Sequence, residues 1–306
     1  MRAVAVLPFV LYAGAAHAWW KPTPGTSYQI QLQGDLDLSY NVSMYDIDLF
    51  DTPESTIDEL RERGIKVICY FSAGTYETWR PDKDNFTTDM YGKELPDWEN
   101  EFYVDTTNEA VRAVMKARIE LAKEKGCDGV DPDNVDAMDN DSGLNLTETT
   151  QLDYNKFLAK TAHDLDLAVG LKNDLAQVED LVDDFDFAIN EECIEMGDCG
   201  DLKPFIASNK PVFGIEYNGD RKRGCALAKE LRFDTLYKDL DLKEERYSCG
   251  DADLSSSSSL DASYVSDSSS GSTDISVVPT PSSVDRRRGP VSLVCAIAAL
   301  VAAIRI

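Results

Sequence analysis

The chain has 306 residues, with 56 acidic and 30 basic side chains, and its formal net charge at neutral pH is −26. This balance argues against nucleic-acid binding, which requires a basic face, and is compatible with a cationic ligand. Neither a GxGxxG motif nor a Walker motif occurs, so the sequence indicates no nucleotide site.

Both ends of the chain carry sorting signals. Residues 1–18 contain a short apolar run followed by Ala16-His17-Ala18, which predicts a signal peptide and its cleavage site. Residues 251–285 are rich in Ser and predict a disordered stalk. Residues 286–306 open with three arginines and end in an apolar tail too short to span a bilayer, as in a removed glycosylphosphatidylinositol attachment signal. We therefore expect a secreted protein, anchored at the extracellular face of the plasma membrane or cell wall.

In a secreted protein the cysteines are expected to form disulfides, because disulfides persist in oxidising compartments. Closeness along the chain predicts the disulfides Cys193–Cys199 and Cys225–Cys249. The remaining pair, Cys69–Cys127, would then tie two strands together. Four sequons predict N-glycosylation, at Asn41, Asn85, Asn140 and Asn145.

Short β-rich runs alternate with helical patterns between residues 19 and 250. Strands are predicted at 28–32, 42–49, 65–71, 127–131, 167–171, 185–190, 211–216 and 233–237. Helices with apolar positions three and four residues apart are predicted at 53–63, 111–125, 150–164 and 222–231. Eight strands alternating with helices predict an α/β fold, a single-domain (β/α)8 barrel of the TIM type. A doubly wound open sheet is the alternative.

The fourth predicted strand ends in a burst of acids within the segment GCDGVDPDNVDAMD, residues 126–139. Clustered carboxylates repel one another, so such a strand end is costly to build for stability alone. In a βα-repeat protein, residues at the carboxyl ends of strands face the ligand. Other predicted strands also end in polar or aromatic groups, and we therefore expect an active site along this rim.

The predicted mature chain contains a single histidine, His163, which lies in a helix. That excludes a histidine-rich metal site and argues against a Ser-His-Asp triad, so no metal and no cofactor are expected. The remaining chemistry is a pair of carboxylates flanked by aromatic side chains, as in glycoside hydrolysis. Asp133, after strand four, and Glu191, at the end of strand six, are the candidate catalytic pair.

Several motifs, in order along the chain, resemble glycoside hydrolase family 114, the endo-α-1,4-polygalactosaminidases of fungi and bacteria. The motifs are KVICYFSAG from residue 66, WRPD from 79, GCDGVDPDNVD from 126, GLKND from 170, FDFA with NE from 185, and PVF with EY from 211. The resemblance implies a TIM-type barrel that cleaves α-1,4-linked galactosamine polymers. It also places the catalytic aspartate at Asp133 and the catalytic glutamate at Glu191.

We assign Asp133 as nucleophile or electrostatic stabiliser and Glu191 as general acid/base. Further acids would attract protonated amino groups, aromatic rings would stack on or hydrogen-bond to sugars, and amides and a lysine would complete the site. These candidate substrate-binding residues are Asp48, Tyr70, Trp79, Asp131, Asn134, Asp136, Lys172, Asn173, Asp174, Glu216 and Tyr217. Structural readings compete with these roles: Asp136 is a candidate cap, Tyr70 and Trp79 are candidates for closing the barrel, and Lys172 for neutralising nearby acids.

The sequence departs from the family pattern at two positions. Asp131 stands where the family often has Glu, and Glu192 stands where it often has Gln. The extra charge of Glu192 beside Glu191 is expected to raise the pKa of one of the two, as an acid catalyst requires.

Three further interpretations remain open. The same chemistry suits an α-galactosidase that acts on neutral α-galactosides. A non-catalytic sugar-binding wall protein is the second. The third is a calcium-dependent or purely structural wall protein, since residues 139–143 resemble the start of a calcium loop with glycine one position early. For the leading interpretation, the partner is an α-linked galactosamine-containing polysaccharide, contact with a membrane occurs only through the lipid anchor, and the chain is a monomer.

Overall fold

The structure is a computed structural model that describes residues 19–250. The predicted signal peptide, stalk and anchor signal lie outside these residues. Twelve strands occur in this part of the chain: β1 (Tyr28–Gln31), β2 (Met44–Asp48), β3 (Lys66–Ser72), β4 (Thr75–Glu77), β5 (Tyr91–Glu94), β6 (Glu101–Val104), β7 (Gly129–Asp133), β8 (Ala168–Lys172), β9 (Phe187–Glu191), β10 (Val212–Glu216), β11 (Asp234–Tyr237) and β12 (Tyr247–Ser248).

Seven α-helices accompany these strands between residues 19 and 250: α1 (Glu54–Glu62), α2 (Glu109–Glu124), α3 (Glu148–Asp164), α4 (Val178–Leu181), α5 (Cys193–Met196), α6 (Lys203–Ala207) and α7 (Arg221–Leu231). Capping side chains fix where the two longest helices, α2 and α3, begin. The Asn108 side chain accepts a hydrogen bond from the Ala110 amide at the start of α2, and Thr147 and Thr150 form a capping box at the start of α3. None of the helices described is long and apolar enough to cross a membrane.

The main sheet has nine strands in the order β1-β2-β3-β7-β8-β9-β10-β11-β12. The first eight of these run parallel, and only β12 is antiparallel to its neighbour. All eight predicted strands are therefore confirmed, with ends within two residues of prediction. Their spatial order follows the chain without the reversal of a doubly wound sheet, which excludes that alternative.

The parallel sheet curls so that its first and seventh strands meet. The Tyr28 hydroxyl of β1 donates a hydrogen bond to the Gly214 carbonyl of β10 at 2.6 Å, and the Tyr28 and Phe213 ring centroids lie 4.8 Å apart. Among the described residues no backbone ladder joins β1 to β11. The segment after β11 bridges these edges instead, because the Leu32 amide donates to the Leu242 carbonyl at 3.0 Å.

Two apolar clusters lie on the two faces of the curled sheet. The smaller one fills its concave interior and includes Met44, Ile68, Phe187, Phe213 and Ile215. The larger one packs the convex face against the helices; on α2 its members recur every three or four residues, at Val111, Val114, Met115, Ile119 and Ala122. This arrangement leaves the carboxyl ends of the strands free to carry polar side chains.

The structure confirms all three predicted disulfides. Cys69–Cys127 joins β3 to the position two residues before β7. Cys193–Cys199 closes the loop that contains α5, and Cys225–Cys249 links α7 to the residue after β12. The asparagines of the four sequons are all exposed, so their predicted modification is sterically possible.

A second sheet, which sequence analysis did not predict, is inserted between β3 and α2. Its three antiparallel strands follow the order β4-β6-β5. Four aromatic rings pack within it, with centroid separations between 4.8 and 6.2 Å; they belong to Tyr76, Phe86, Tyr91 and Phe102. We call this element the inserted sheet.

Candidate active site

The carboxyl ends of three adjacent strands bring the predicted catalytic pair together. Asp133 ends β7, Lys172 ends β8 and Glu191 ends β9. The Lys172 ammonium nitrogen lies 3.0 Å from Asp133 Oδ1 and 2.9 Å from Glu191 Oε2. Because one nitrogen contacts both carboxylates, the pair faces a single small volume.

Two tyrosines and an asparagine complete the contacts of this pair. The Tyr70 hydroxyl on β3 donates to Asp133 Oδ2 at 2.8 Å. The Tyr217 hydroxyl, just after β10, donates to Glu191 Oε1, and Asn173 Nδ2 donates to Glu191 Oε2 at 3.3 Å. Both carboxylates are thus fixed in orientation by donors from neighbouring strands.

Electrostatics keep the resting site in a charged form. Burial alone would lower the pKa of Lys172, but the charges of Asp133, Glu191 and Asp131 raise it well above its ordinary value. Burial would raise the pKa of Glu191, yet the Lys172 charge and the hydrogen bonds from Tyr217, Lys172 and Asn173 hold it below its usual range. At neutral pH Glu191 is therefore a carboxylate.

The sequence predicts a raised pKa at one of the two neighbouring carboxyls, and the carboxyl that shows it is Glu192, not the candidate acid Glu191. Burial, with the charges of Glu195 and Glu191, raises the pKa of Glu192 itself, whereas the pKa of Glu191 is lowered. The reason is that Lys172 contacts Glu191 directly at 2.9 Å. Glu191 must therefore gain its proton when a substrate displaces these donors, if it is to act as an acid.

The chain turns sharply after each of these strands, in left-handed backbone conformations. The φ angles are +59° at Asn134, +51° at Asn173, +46° at Asp174 and +63° at Glu192. Asn and Asp tolerate this region, but for Glu it is uncommon and strained. Each turn begins directly after a strand-end residue of the site: Asp133, Lys172 or Glu191.

Gly74 fixes the turn that follows Asp133. The amides of Ala73 and Gly74 donate to the Asp133 carbonyl at 2.8 and 3.0 Å. A Cβ on Gly74 would stand 1.6 Å from the Asn134 carbonyl oxygen, so only glycine permits this approach. The Asn134 amide in turn donates to Asp133 Oδ1 at 2.7 Å. The end of the KVICYFSAG motif thereby positions the candidate nucleophile.

A pair of fully buried acids, Asp46 on β2 and Asp131 on β7, lies in the sheet interior. None of their four oxygens contacts a donor from any other described residue. Burial raises the pKa of both carboxyls; the Asp131 charge adds to the rise at Asp46, and Lys172 opposes it at Asp131. At neutral pH the pair therefore holds at least one proton, which can hydrogen-bond one carboxyl to the other.

Three predicted substrate-binding acids are already engaged by protein donors. Asp48 accepts two hydrogen bonds from the Arg80 guanidinium, at 3.0 and 2.7 Å. Asp174 accepts from Gln151 and Asn155 on α3, at 3.0 and 2.8 Å. Glu216 accepts from the Ile194 and Glu195 amides of α5, at 2.8 and 3.3 Å. All three are buried and hold structural elements in place.

Asp136 and Trp79 lie outside the contacts around Lys172. Asp136 is half-buried, and burial together with the Asp133 charge raises its pKa to about 6. Trp79 is exposed and follows β4 in the inserted sheet. The core of the site is therefore formed by seven of the predicted residues: Tyr70, Asp133, Asn134, Lys172, Asn173, Glu191 and Tyr217.

Sequence analysis missed Glu101, which the inserted sheet brings beside Asn134. Its carboxylate accepts a hydrogen bond from Thr75 and one from Asn134 Nδ2 at 3.5 Å, and Asn134 Nδ2 also donates to Ser72 Oγ at 2.9 Å. Burial, with the charges of Glu77 and Asp133, raises the pKa of Glu101 to about 7. The only sequence signal was the β-rich run Phe102-Tyr103-Val104 that follows it.

Within residues 19–250, no three or more His, Cys, Asp or Glu side chains are arranged to hold a metal ion. The candidate calcium loop at 139–143 is also part of this region. The site as described offers carboxylates, one ammonium and hydroxyl donors, which are the groups that acid–base hydrolysis uses.

The family model of the glycoside-hydrolase family GH114 matches residues 11–253. The chain belongs to this family. The match confirms the family inferred from the sequence motifs, and with it a glycoside hydrolase activity.

Two solved structures are similar to this GH114 chain. Aspergillus fumigatus Ega3, crystallised in complex with galactosamine, is 39% identical; it aligns with a TM-score of 0.73 over 76% of this chain and 98% of its own. The glycoside hydrolase domain of PelA from Pseudomonas aeruginosa is 15% identical, with a TM-score of 0.58 over 72% of this chain and 98% of its own. The second likeness concerns the fold alone. No curated protein matches the chain significantly.

Proposed function

We propose that this GH114 protein is an endo-acting hydrolase of α-1,4-linked galactosamine polymers. The observation that carries the proposal is the convergence of Asp133 and Glu191 on the Lys172 ammonium, at 3.0 and 2.9 Å. Two carboxylates around one small volume are the machinery of glycoside hydrolysis. The galactosamine bound to Ega3, a 39% identical relative, supports an amino sugar as the substrate unit.

In the proposed reaction, Asp133 attacks the anomeric carbon as the nucleophile while Glu191 protonates the departing glycosidic oxygen. The resulting glycosyl ester is then hydrolysed by a water molecule that Glu191 deprotonates. The Lys172 nitrogen lies 3.0 Å from Asp133 Oδ1 and 2.9 Å from Glu191 Oε2, so these two oxygens are at most about 6 Å apart. This spacing favours the roughly 5–5.5 Å of retaining enzymes over the roughly 6.5–9.5 Å of inverting ones. The proposed outcome is retention of the anomeric configuration.

Lys172 and the tyrosines have supporting roles in this scheme. The Lys172 ammonium and the Tyr70 hydroxyl each donate to one oxygen of Asp133, at 3.0 and 2.8 Å, and fix the orientation of the attacking carboxylate. Substrate that enters between the carboxylates separates Glu191 from Lys172 and Tyr217, which removes the contacts that lower its pKa. Proton uptake by Glu191 is thereby coupled to substrate binding.

The curled sheet suits this chemistry as a TIM-type (β/α)8 barrel, in which active sites lie at the carboxyl ends of the strands. Eight parallel strands in chain order and the β1–β10 contact support this assignment. We further propose that the protein acts outside the cell, attached through a lipid anchor. The three disulfides support an oxidising compartment.

A panel of substrates tests the proposed specificity. The purified protein is incubated with α-1,4-polygalactosamine, with its fully N-acetylated form and with a neutral α-galactoside, and products are sized by mass spectrometry. We expect short galactosamine oligomers from the first polymer and little product from the other substrates, because the site has excess negative charge for ammonium groups. Free galactose from the neutral substrate alone would establish an α-galactosidase instead, and binding without products a sugar-binding protein.

A further inference from the structure

The inserted sheet forms a wall along the rim of the site. At one end, the Arg80 guanidinium binds Asp48, the last residue of β2. At the other end, the Lys93 amide donates to the Ser142 carbonyl, in the segment after β7, at 2.8 Å. The inserted sheet therefore extends from the β2 end to the β7 end, past the β3 end that leads into it.

Two tryptophans are exposed at one end of this wall. Trp79 and Trp98 each have 46% of their surface accessible. Trp79 follows β4 and Trp98 precedes β6. These two strands pair with each other, and the pair nearest the tryptophans along the chain is Glu77 of β4 with Glu101 of β6. The Thr78 amide donates to the Asn100 carbonyl at 3.2 Å, which ties together the two segments that carry the rings.

The scaffold beneath these rings is well braced. The Trp98 amide donates to the Leu95 carbonyl and the Glu101 amide to the Trp98 carbonyl, both at 3.3 Å, so the turn that carries Trp98 is held by its own backbone. Arg80, the neighbour of Trp79, is buried and bonded to Glu77 and Asp48. Exposing an indole on a fixed backbone forgoes its burial energy, a cost that binding a ligand would offset.

The wall connects directly to the candidate nucleophile. Gly74 donates to the Asp133 carbonyl at 3.0 Å, and β4 begins at the next residue. Chain length keeps Trp79 within roughly 18 Å of Gly74. When a polymer is cleaved at Asp133, sugar units a short distance along the polymer can therefore reach the tryptophans.

Acidic side chains surround Trp98 in its turn. Glu94, Asp97 and Glu99 lie in the same turn, all three are exposed, and no basic residue lies between positions 94 and 99. A protonated amino sugar is attracted by these acids and by the aromatic faces, which bind cations within about 6 Å. A neutral or N-acetylated sugar gains only the stacking contact.

We propose that Trp79 and Trp98 form a distal binding surface for galactosamine units remote from the cleaved bond. This surface rests on the proposed function and extends it, since it would let the enzyme hold long polymers more tightly than short oligomers. Trp98 was not among the residues expected from the sequence to bind substrate.

The test separates long from short substrates. Trp98→Ala and Trp79→Ala are compared with the wild type on long polygalactosamine and on the shortest oligomer that is cleaved. We expect KM for the polymer to rise roughly three- to thirty-fold in each variant. Values for the short oligomer should be unchanged, and Trp98→Phe should restore most of the loss. Met196→Ala and Leu240→Ala, which truncate apolar side chains that are 64% and 66% exposed elsewhere, serve as controls.

Binding is measured separately from cleavage, by sedimentation of the Asp133→Asn protein with insoluble polygalactosamine. Wild-type binding of polymer by both tryptophan variants would overturn the distal surface, as would an equal rise in KM for long and short substrates. If the Asp133→Asn protein binds the polymer through these tryptophans but the wild-type protein releases no products, the proposed function is wrong while the binding surface is supported.

Discussion

Among single residues, Lys172 has the largest influence on the charge state of the candidate active site. Its ammonium is buried and contacts both candidate catalytic carboxylates, and its charge lowers the pKa of Glu191. Tyr70 and Tyr217 add one hydrogen bond to each carboxylate. Removing the Tyr217 hydroxyl should therefore shift the protonation of Glu191 while the Tyr70 contact with Asp133 is kept.

Tyr217→Phe should raise the pKa of Glu191. The hydroxyl stabilises the ionised carboxylate, and a hydrogen bond to a charged group contributes about 1.5–3 kcal/mol, equivalent to roughly one to two pKa units. We expect the limb of the pH profile of kcat/KM that reports Glu191 in the free enzyme to move upward by about one unit. Initial rates on polygalactosamine across the pH range measure this shift.

Tyr247→Phe provides the matched control, because Tyr247 lies on β12, apart from the carboxylate pair. Its pH profile should coincide with that of the wild type. A Tyr217→Phe profile that also coincides with the wild type, at full folding, would show that Glu191 does not govern the observed titration.

The residues of the site differ in how far sequence could predict them. Asp133 and Glu191 were identified because a strand end and a family motif agreed at both positions. Asp48 and Glu216 also end strands and Asp174 follows one, but their donors come from other parts of the chain, such as Arg80 and α3. A run of acids in a sequence does not indicate which of them the fold neutralises.

At the scale of elements, the inserted sheet depends on buried ion pairs with α2. The Arg118 guanidinium, only 1% exposed, donates to both oxygens of Asp82 at 2.8 and 3.0 Å, to the Ser72 carbonyl at 2.7 Å and to Glu77 at 3.3 Å. It therefore links the helix, the end of β3 and the base of the wall.

Arg118→Met should destabilise the protein by about 3–5 kcal/mol, because it leaves the buried Glu77 carboxylate with one cationic partner fewer. Urea unfolding followed by circular dichroism measures the change. Lys116→Met on the same helix removes only an exposed pair with Glu120, at 3.6 Å, and should change the free energy of unfolding by less than about 1 kcal/mol. Equal effects of the two substitutions would contradict the bracing role of Arg118.

The inserted sheet was not predicted because its strands are short and pair only with one another. β4 has three residues, β5 and β6 have four, and the segment between them contains Pro96, Asp97 and Asn100. Short strands give too few apolar positions for an alternating pattern to stand out. Glu101 was missed for the same reason, although its carboxylate lies within 3.5 Å of Asn134.

At the scale of the whole molecule, the parallel strands were predictable because buried strands are continuous apolar runs. The curl of the sheet was not, since it depends on contacts between β1 and β10 that are 186 residues apart in the chain. The overall charge of −26 fits a polycationic substrate, but the location of the acids near the wall emerged only in three dimensions.

The predicted leader, stalk and anchor remain sequence-based predictions, since they lie outside residues 19–250. They matter for function because attachment at a surface would confine hydrolysis to polysaccharide outside the cell. The proposed catalysis does not require them, because every group that takes part lies on the curled sheet or just after its strands.

The most direct test of the central claim is the rate of polygalactosamine cleavage by Asp133→Asn and Glu191→Gln, beside Asp139→Asn as an exposed acid from the same segment as Asp133. We predict that each of the first two loses at least about a hundredfold in kcat, the usual scale for a catalytic carboxyl, while Asp139→Asn stays within about twofold of the wild type. Cleavage at the wild-type rate by either Asp133→Asn or Glu191→Gln would contradict the two-carboxylate mechanism.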